Sequence, residues 1–141
     1  MNEYVIDLDQ LGMNDVDRVG GKNASLGEMI ANLAGSNVVV PSGFATTAFA
    51  YREFLATDGL ADRIDAALSA LDVDDVGALT RTGTQIRQWV MDTRFPPAFE
   101  AAIAAAYERL QARYGEDVSW AVRSSATAED LPDASFAGQQ E

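Results

Sequence analysis

Trp120-Ala121-Val122-Arg123-Ser124-Ser125-Ala126-Thr127-Ala128-Glu129-Asp130-Leu131-Pro132-Asp133-Ala134-Ser135-Phe136-Ala137-Gly138-Gln139-Gln140-Glu141 begins apolar, in the manner of a buried strand. It then delivers an arginine, two hydroxyls and an acidic pair, and closes in a loop of small residues with a glycine and two amides. A charged residue at the end of a buried strand, followed by small residues, is how α/β proteins present groups to a ligand. This stretch therefore argues for an α/β (α+β) fold, with a strand over Val118 to Val122 that carries Arg123 to a site. The chain stops inside the polar loop, so a fragment of a longer chain is expected.

Upstream of that strand the pattern is helical. Phe99, Ile103, Ala106 and Leu110 fall on one helix face running to about Arg113, with Pro97 in the first turn and Gly115 as the stop. Val76, Leu79, Gly83, Ile86 and Val90 mark an earlier helix, with Trp89 beside the stripe. The acidic run Asp72-Val73-Asp74-Asp75 suits its N-terminus. Leu60, Ile64, Ala67, Leu68 and Leu71 mark a helix beginning after Gly59. Phe49, Tyr51, Phe54 and Leu55 give an aromatic core face to a helix over roughly 47–57, capped by Thr46 or Thr47. Asn37 to Phe44 is expected to be a buried strand entering a Pro/Gly turn, Tyr4 to Leu8 a short strand, and residues 9–18 a loop. No internal repeat is present. A few short strands among several helices make one domain over 1–141 of mixed class rather than a helix bundle.

Composition excludes several functions. Of the 141 residues, 48% are apolar, enough for a core, and 10 basic against 22 acidic residues give a formal net charge of −12. A nucleic-acid or anionic-membrane surface needs clustered Lys and Arg, so neither partner is expected. There is no cysteine for a disulfide framework and no histidine for acid–base work or metal ligation. No apolar run reaches membrane-spanning length and the acidic start is not a signal peptide, so the expected location is cytoplasmic.

Val19-Gly20-Gly21-Lys22-Asn23 contains the only lysine of the chain. Two glycines allow close backbone approach or positive φ. Ser25 and Glu28 then have capping-box spacing, Leu26, Met29, Ile30 and Leu33 fall at helical spacing, and Gly35 is the stop. A Gly-Gly-Lys turn leading into a helix N-terminus favours an anion. It is not a Walker A loop: Val16 occupies the position of its first glycine and Asn23 that of its Ser/Thr. The bland alternative is a glycine turn with a solvated lysine.

Arg123-Ser124-Ser125 has the same character: a cation in a turn of small residues beside predicted regular structure. Lysine acts as a point charge and arginine as a planar fork, and both bind phosphate. Ser124, Ser125 and Thr127 add hydroxyls, and the Ser135 to Gln139 loop is small enough to bring backbone donors over a phosphate. Glu129 and Asp130 offer oxygens to Mg²⁺ or serve as a capping or turn pair. Arg123 has a structural salt bridge as its alternative role.

Three ordered blocks carry a family resemblance: Val19 to Met29, Val40 to Tyr51, and Val122 to Glu141. They resemble the phosphoenolpyruvate synthase (pyruvate, water dikinase) family, in the first part of its ATP-grasp nucleotide-binding domain. Asp58 to Asp117 carries little of the likeness. The resemblance implies an enzyme converting ATP, pyruvate and water to AMP, phosphoenolpyruvate and phosphate, a gluconeogenic step. The phosphoryl group would pass through a histidine on a swivelling domain of the same chain to pyruvate in a barrel that uses Mg²⁺. It implies ATP phosphate contacts at Lys22 and Arg123, and less directly a phosphate loop with Ser124, Gly138 and Gln139. Neither a catalytic residue nor a metal ligand is expected within these residues, the family's Mg²⁺-binding acids lying later, and the piece alone is expected to be inactive. A homodimer is compatible with it. Rifampin phosphotransferase and pyruvate, phosphate dikinase share the blocks and differ in acceptor domain. A non-catalytic acidic interaction module is the alternative of another class.

Overall fold

The computed structural model describes residues 2–128. The described fold is mostly helical with one two-stranded sheet, a small α+β arrangement. Strand β1 (Val5–Asp7) pairs antiparallel with β2 (Phe44–Thr46) in the register Val5–Thr46, Ile6–Ala45 and Asp7–Phe44. The Leu8 amide donating to the Gly43 carbonyl at 2.9 Å and the Thr47 amide to the Tyr4 carbonyl at 3.1 Å extend the ladder at both ends. The helices are α1 (Val16–Val19), α2 (Gly21–Leu33), α3 (Ala48–Leu55), α4 (Leu60–Ser69), α5 (Val76–Asp92) and α6 (Pro97–Tyr114).

The chain divides into two compact units, Met1–Ala50 with Ala98–Glu141, and Tyr51–Pro97. In the first, Ile6, Leu8, Leu11, Val19, Ala24 and Ala45 form the core, with Val16, Leu26 and Ile30 packed on it. Helix α2 meets this core through small residues: Gly21, Ala24 and Gly27 are its buried positions, while Met29 is exposed. A Cβ on Gly27 would meet the Leu11 carbonyl carbon at 2.7 Å and the Leu11 Cβ at 2.6 Å. The helix therefore lies against backbone, an approach that a longer side chain on this face would prevent. Of the expected stripe Leu26, Met29, Ile30 and Leu33, Leu26 and Ile30 pack on this core and Met29 does not.

In the second unit, Leu60 is fully buried, Phe54 meets Phe95 edge-on at 5.5 Å, and the Arg63 guanidinium lies over the Trp89 ring at 5.2 Å. Asp75 caps α5, its carboxylate accepting from the Ala78 amide at 3.0 Å. The expected apolar stripe of α5 remains largely exposed at Val76, Leu79 and Val90.

Two expected strands are not strands. Residues 37–43 and 115–126 have no regular structure, and Val39 and Val122 are 87% and 96% exposed. A strand needs a ladder partner for its amides and carbonyls. Among the described residues the sheet consists of β1 and β2 only. The expected loop over 9–18 contains two single 3-10 turns and α1.

Thr47 joins sheet to helix. Its hydroxyl accepts from the Ala50 amide at 3.1 Å, capping α3, and donates to the Glu3 carbonyl. The side chain is buried, so its loss leaves both groups without this partner. Thr47→Ala is expected to lower stability by about 1–2 kcal/mol, read by denaturant titration, with Thr47→Ser restoring most of it.

Candidate nucleotide-phosphate site

The site is built at the end of α1. A Gly20 φ of 82° with ψ of 164° turns the chain out of α1 and into α2 within one residue. That backbone region is essentially restricted to glycine. The Gly20 amide still donates to the Val16 carbonyl at 2.9 Å, and its carbonyl accepts from Ala24 at 3.1 Å. Helix α2 thus starts at Gly21, four residues ahead of the expected Ser25 cap. Glu28 makes no capping box with Ser25; its carboxylate accepts from the Met13 amide at 3.1 Å. Lys22, exposed, stands in the first turn of α2, where the helix dipole favours an anion.

The second segment docks on this turn from far along the chain. Ser125 donates its hydroxyl to the Val19 carbonyl at 2.9 Å across 106 positions, and the Gly21 amide donates to the Ala126 carbonyl at 3.3 Å. A Cβ on Gly20 would collide with Ser125 Oγ and stand 2.9 Å from the Ala126 nitrogen. The Val19 carbonyl also accepts from the Asn23 side-chain amide at 2.9 Å. One carbonyl therefore takes a bond from the residue after Lys22 and another from the second residue after Arg123.

The segments that carry Lys22 and Arg123 are in direct contact. Arg123 and Ser124 are exposed, as is Thr127. Ser125, expected to offer its hydroxyl to a phosphate, commits its single proton to Val19. Gly138 and Gln139, with Glu129, Asp130 and Ser135, lie outside the described residues. Sequence reading missed the roles of Gly20 and Ser125 as mutual packing partners; the adjacent glycines signalled a close approach without saying to what. On the approach to Arg123, Trp120 packs edge-on against Tyr107 and Tyr114 at 6.2 and 6.0 Å. The Tyr114 hydroxyl accepts from the Ser42 amide at 2.9 Å.

Upstream, Asp15 and Arg18 brace α1. Arg18 bonds Asp15 at 2.9 Å and Glu3 at 3.1 Å. The Gly12 amide, and then Arg18, hold the Asp15 carboxyl below its ordinary value of 3.8. A depressed folded value means stability that is fully present above 3.8 and lost as pH falls through the folded value. Asp15→Asn is therefore expected to be less stable than the parent at pH 7. The gap in thermal midpoint should narrow as pH drops below 3.8.

Among the described residues no group of three or more His, Cys, Asp or Glu could hold a metal ion. Among the same residues, no helix is long and apolar enough to cross a membrane.

A glycine turn at a helix N-terminus, with two cation-bearing segments latched together, is the equipment of an anion-binding site. The chain belongs to the family of the pyruvate phosphate dikinase AMP/ATP-binding domain, which matches residues 16–141. The class is thus a nucleotide-binding region. Over its whole length the chain is 66% identical to the phosphoenolpyruvate synthase of Pseudomonas aeruginosa (strain UCBPP-PA14), of which it spans 18%. It is 62% identical over 141 residues to the phosphoenolpyruvate synthase of Neisseria meningitidis serogroup B, covering 99% of this chain and 18% of that protein. With that of Escherichia coli (strain K12) it shares 62% over 137 residues, covering 97% of this chain and 17% of the relative.

Proposed function

We propose that residues 1–141 are the first portion of the ATP-binding domain of a phosphoenolpyruvate synthase. In this reading Lys22 and Arg123 jointly hold the nucleotide phosphates. Ser124 and the loop at Gly138 and Gln139 would close over them. The observation that carries the reading is the docking of the Gly20-Gly21 turn on Ser125-Ala126 in a chain of this family. In a chain of net charge −12, cations drawn from two distant segments offset phosphate charge where the acidic surroundings would otherwise repel it.

The reaction proposed for the whole enzyme converts ATP, pyruvate and water to AMP, phosphoenolpyruvate and phosphate, through a phosphohistidine on a swivelling domain of the same chain. It is a cytoplasmic, gluconeogenic step, and Mg²⁺ accompanies the nucleotide. The role of the described residues is to position and neutralise. Arginine holds two phosphate oxygens in a fixed fork and lysine adds a point charge, and phosphoryl transfer depends chiefly on such positioning and charge stabilisation.

Calorimetric titration with ATP and Mg²⁺ tests the placement. The 141 residues alone should bind weakly, because this reading puts the other wall of the cleft in later sequence. Submicromolar binding by them alone overturns it. In the full-length chain, Lys22→Ala should weaken ATP binding; unchanged affinity and turnover would remove Lys22 from the site.

A further inference from the structure

We infer that Ser125 is a positioning residue for the phosphate site, fixing the Arg123 segment against the Lys22 turn so that the two cations work as one unit. The inference rests on the reading of Lys22 and Arg123 as phosphate contacts. Three observations carry it. Ser125 spends its only proton on the Val19 carbonyl at 2.9 Å and has none left for a phosphate oxygen. Asn23, next to Lys22, donates to that same carbonyl at 2.9 Å, so both lone pairs of one oxygen are used, one for each cation-bearing segment. Gly20 has no side chain at the point where Ser125 Oγ comes in, so the bond exists only because that position is empty of a Cβ. Val19 is 4% exposed, so water does not readily replace Ser125 as its partner.

The bond joins backbone to backbone by way of one hydroxyl, two residues from Arg123. Without it, the Gly21–Ala126 bond of 3.3 Å between turn and segment remains, a longer contact. A guanidinium displaced by part of an ångström still binds a flexible triphosphate but no longer tracks the γ-phosphoryl group as it moves.

The test is ATP-dependent labelling of the phosphohistidine in the full-length chain, in single turnover with saturating ATP, together with hydrogen exchange at the Gly21 amide. Ser125→Ala should slow labelling roughly tenfold, short of the about 100-fold that a 1 Å misplacement costs. It should leave apparent ATP affinity within about twofold and strip protection from Gly21. Ser125→Thr, which keeps the hydroxyl, should recover most of the rate. In an Arg123→Lys background, Ser125→Ala should cost less than about twofold more, because the geometry it maintains is already lost. If Ser125→Ala does not fold, Ser125→Cys takes its place, a similar shape with a weaker donor and the same expected direction. A lowered thermal midpoint with normal labelling per folded molecule would make Ser125 merely structural and overturn the inference. Slow labelling by Arg123→Lys beside normal labelling by Ser125→Ala would sink the positioning role alone. Normal labelling by Arg123→Lys itself would sink the phosphate-site reading beneath it.

Discussion

If Arg123 holds nucleotide phosphate as proposed, Arg123→Lys in the full-length chain is expected to slow ATP-dependent labelling of the proposed partner histidine by about 100-fold or more at saturating ATP, roughly 3 kcal/mol of transition-state stabilisation. The charge is conserved, so long-range attraction for the nucleotide is kept. What the variant would lose is the planar fork with which an arginine can hold two oxygens at once. The deficit therefore falls on the rate rather than on affinity. Single-turnover labelling measures it directly, before product release enters. If Arg123 is only a surface salt-bridge partner, the variant labels at the parental rate and shows at most a small drop in melting temperature. Lys22→Ala is expected to act in the same direction but to bear more on binding, because a single ammonium imposes less geometry.

Gly20→Ala is expected to lose much stability from a single added methyl group. Two costs add. The backbone at φ 82°, ψ 164° is outside what an alanine adopts, worth roughly 1–3 kcal/mol. The new Cβ also collides with Ser125 Oγ and stands 2.9 Å from the Ala126 backbone nitrogen. Overpacking of that kind costs roughly another 1–3 kcal/mol. Gly35→Ala separates the two costs. Gly35 has a φ of 83° as well, but an added Cβ there has nothing within 4 Å. Denaturant titration of both variants should show Gly20→Ala the less stable. Equal losses would mean that the contact between turn and Arg123 segment contributes nothing. Hydrogen exchange at Gly21 should rise in Gly20→Ala and stay parental in Gly35→Ala.

The sequence made local signals legible where one residue type solves one local problem. Thr47 and Asp75 cap helices as their hydroxyl and carboxylate suggested, Pro97 opens α6, and Gly115, at φ 90°, ends it. Position 5–7 pairs as a strand where β-formers cluster. The failures share a cause. Val38-Val39-Val40 and Val118 to Val122 have strand composition, but composition does not supply a neighbour, and among the described residues neither has one. The start of helix α2 was missed because its fully buried positions are glycine and alanine, which carry no hydrophobic period, beside the Leu26 and Ile30 that spacing did mark. For the site, the two cation-bearing turns could each be read separately. Their contact could not, because it is made by a serine, two glycines and backbone carbonyls, residues that signal permissiveness rather than a partner.

The Ser125–Val19 bond spans 106 positions. Closing so long a loop is entropically slower than forming any helix in the chain, and non-local contacts of this kind delay folding. The Gly-Gly-Lys turn leaves the ribosome early, and its mate follows after about 5–20 s at 5–20 residues per second. Through that interval β1, β2 and α2 already have one another, yet the α1–α2 turn still waits for its serine. The stretch between, Tyr51–Pro97, forms its own compact unit and so gathers its apolar groups during the wait. Assembly of the latch is therefore a late event of biosynthesis, and a chain cut short before Ser125 would retain the early core without ever joining its two cation-bearing segments.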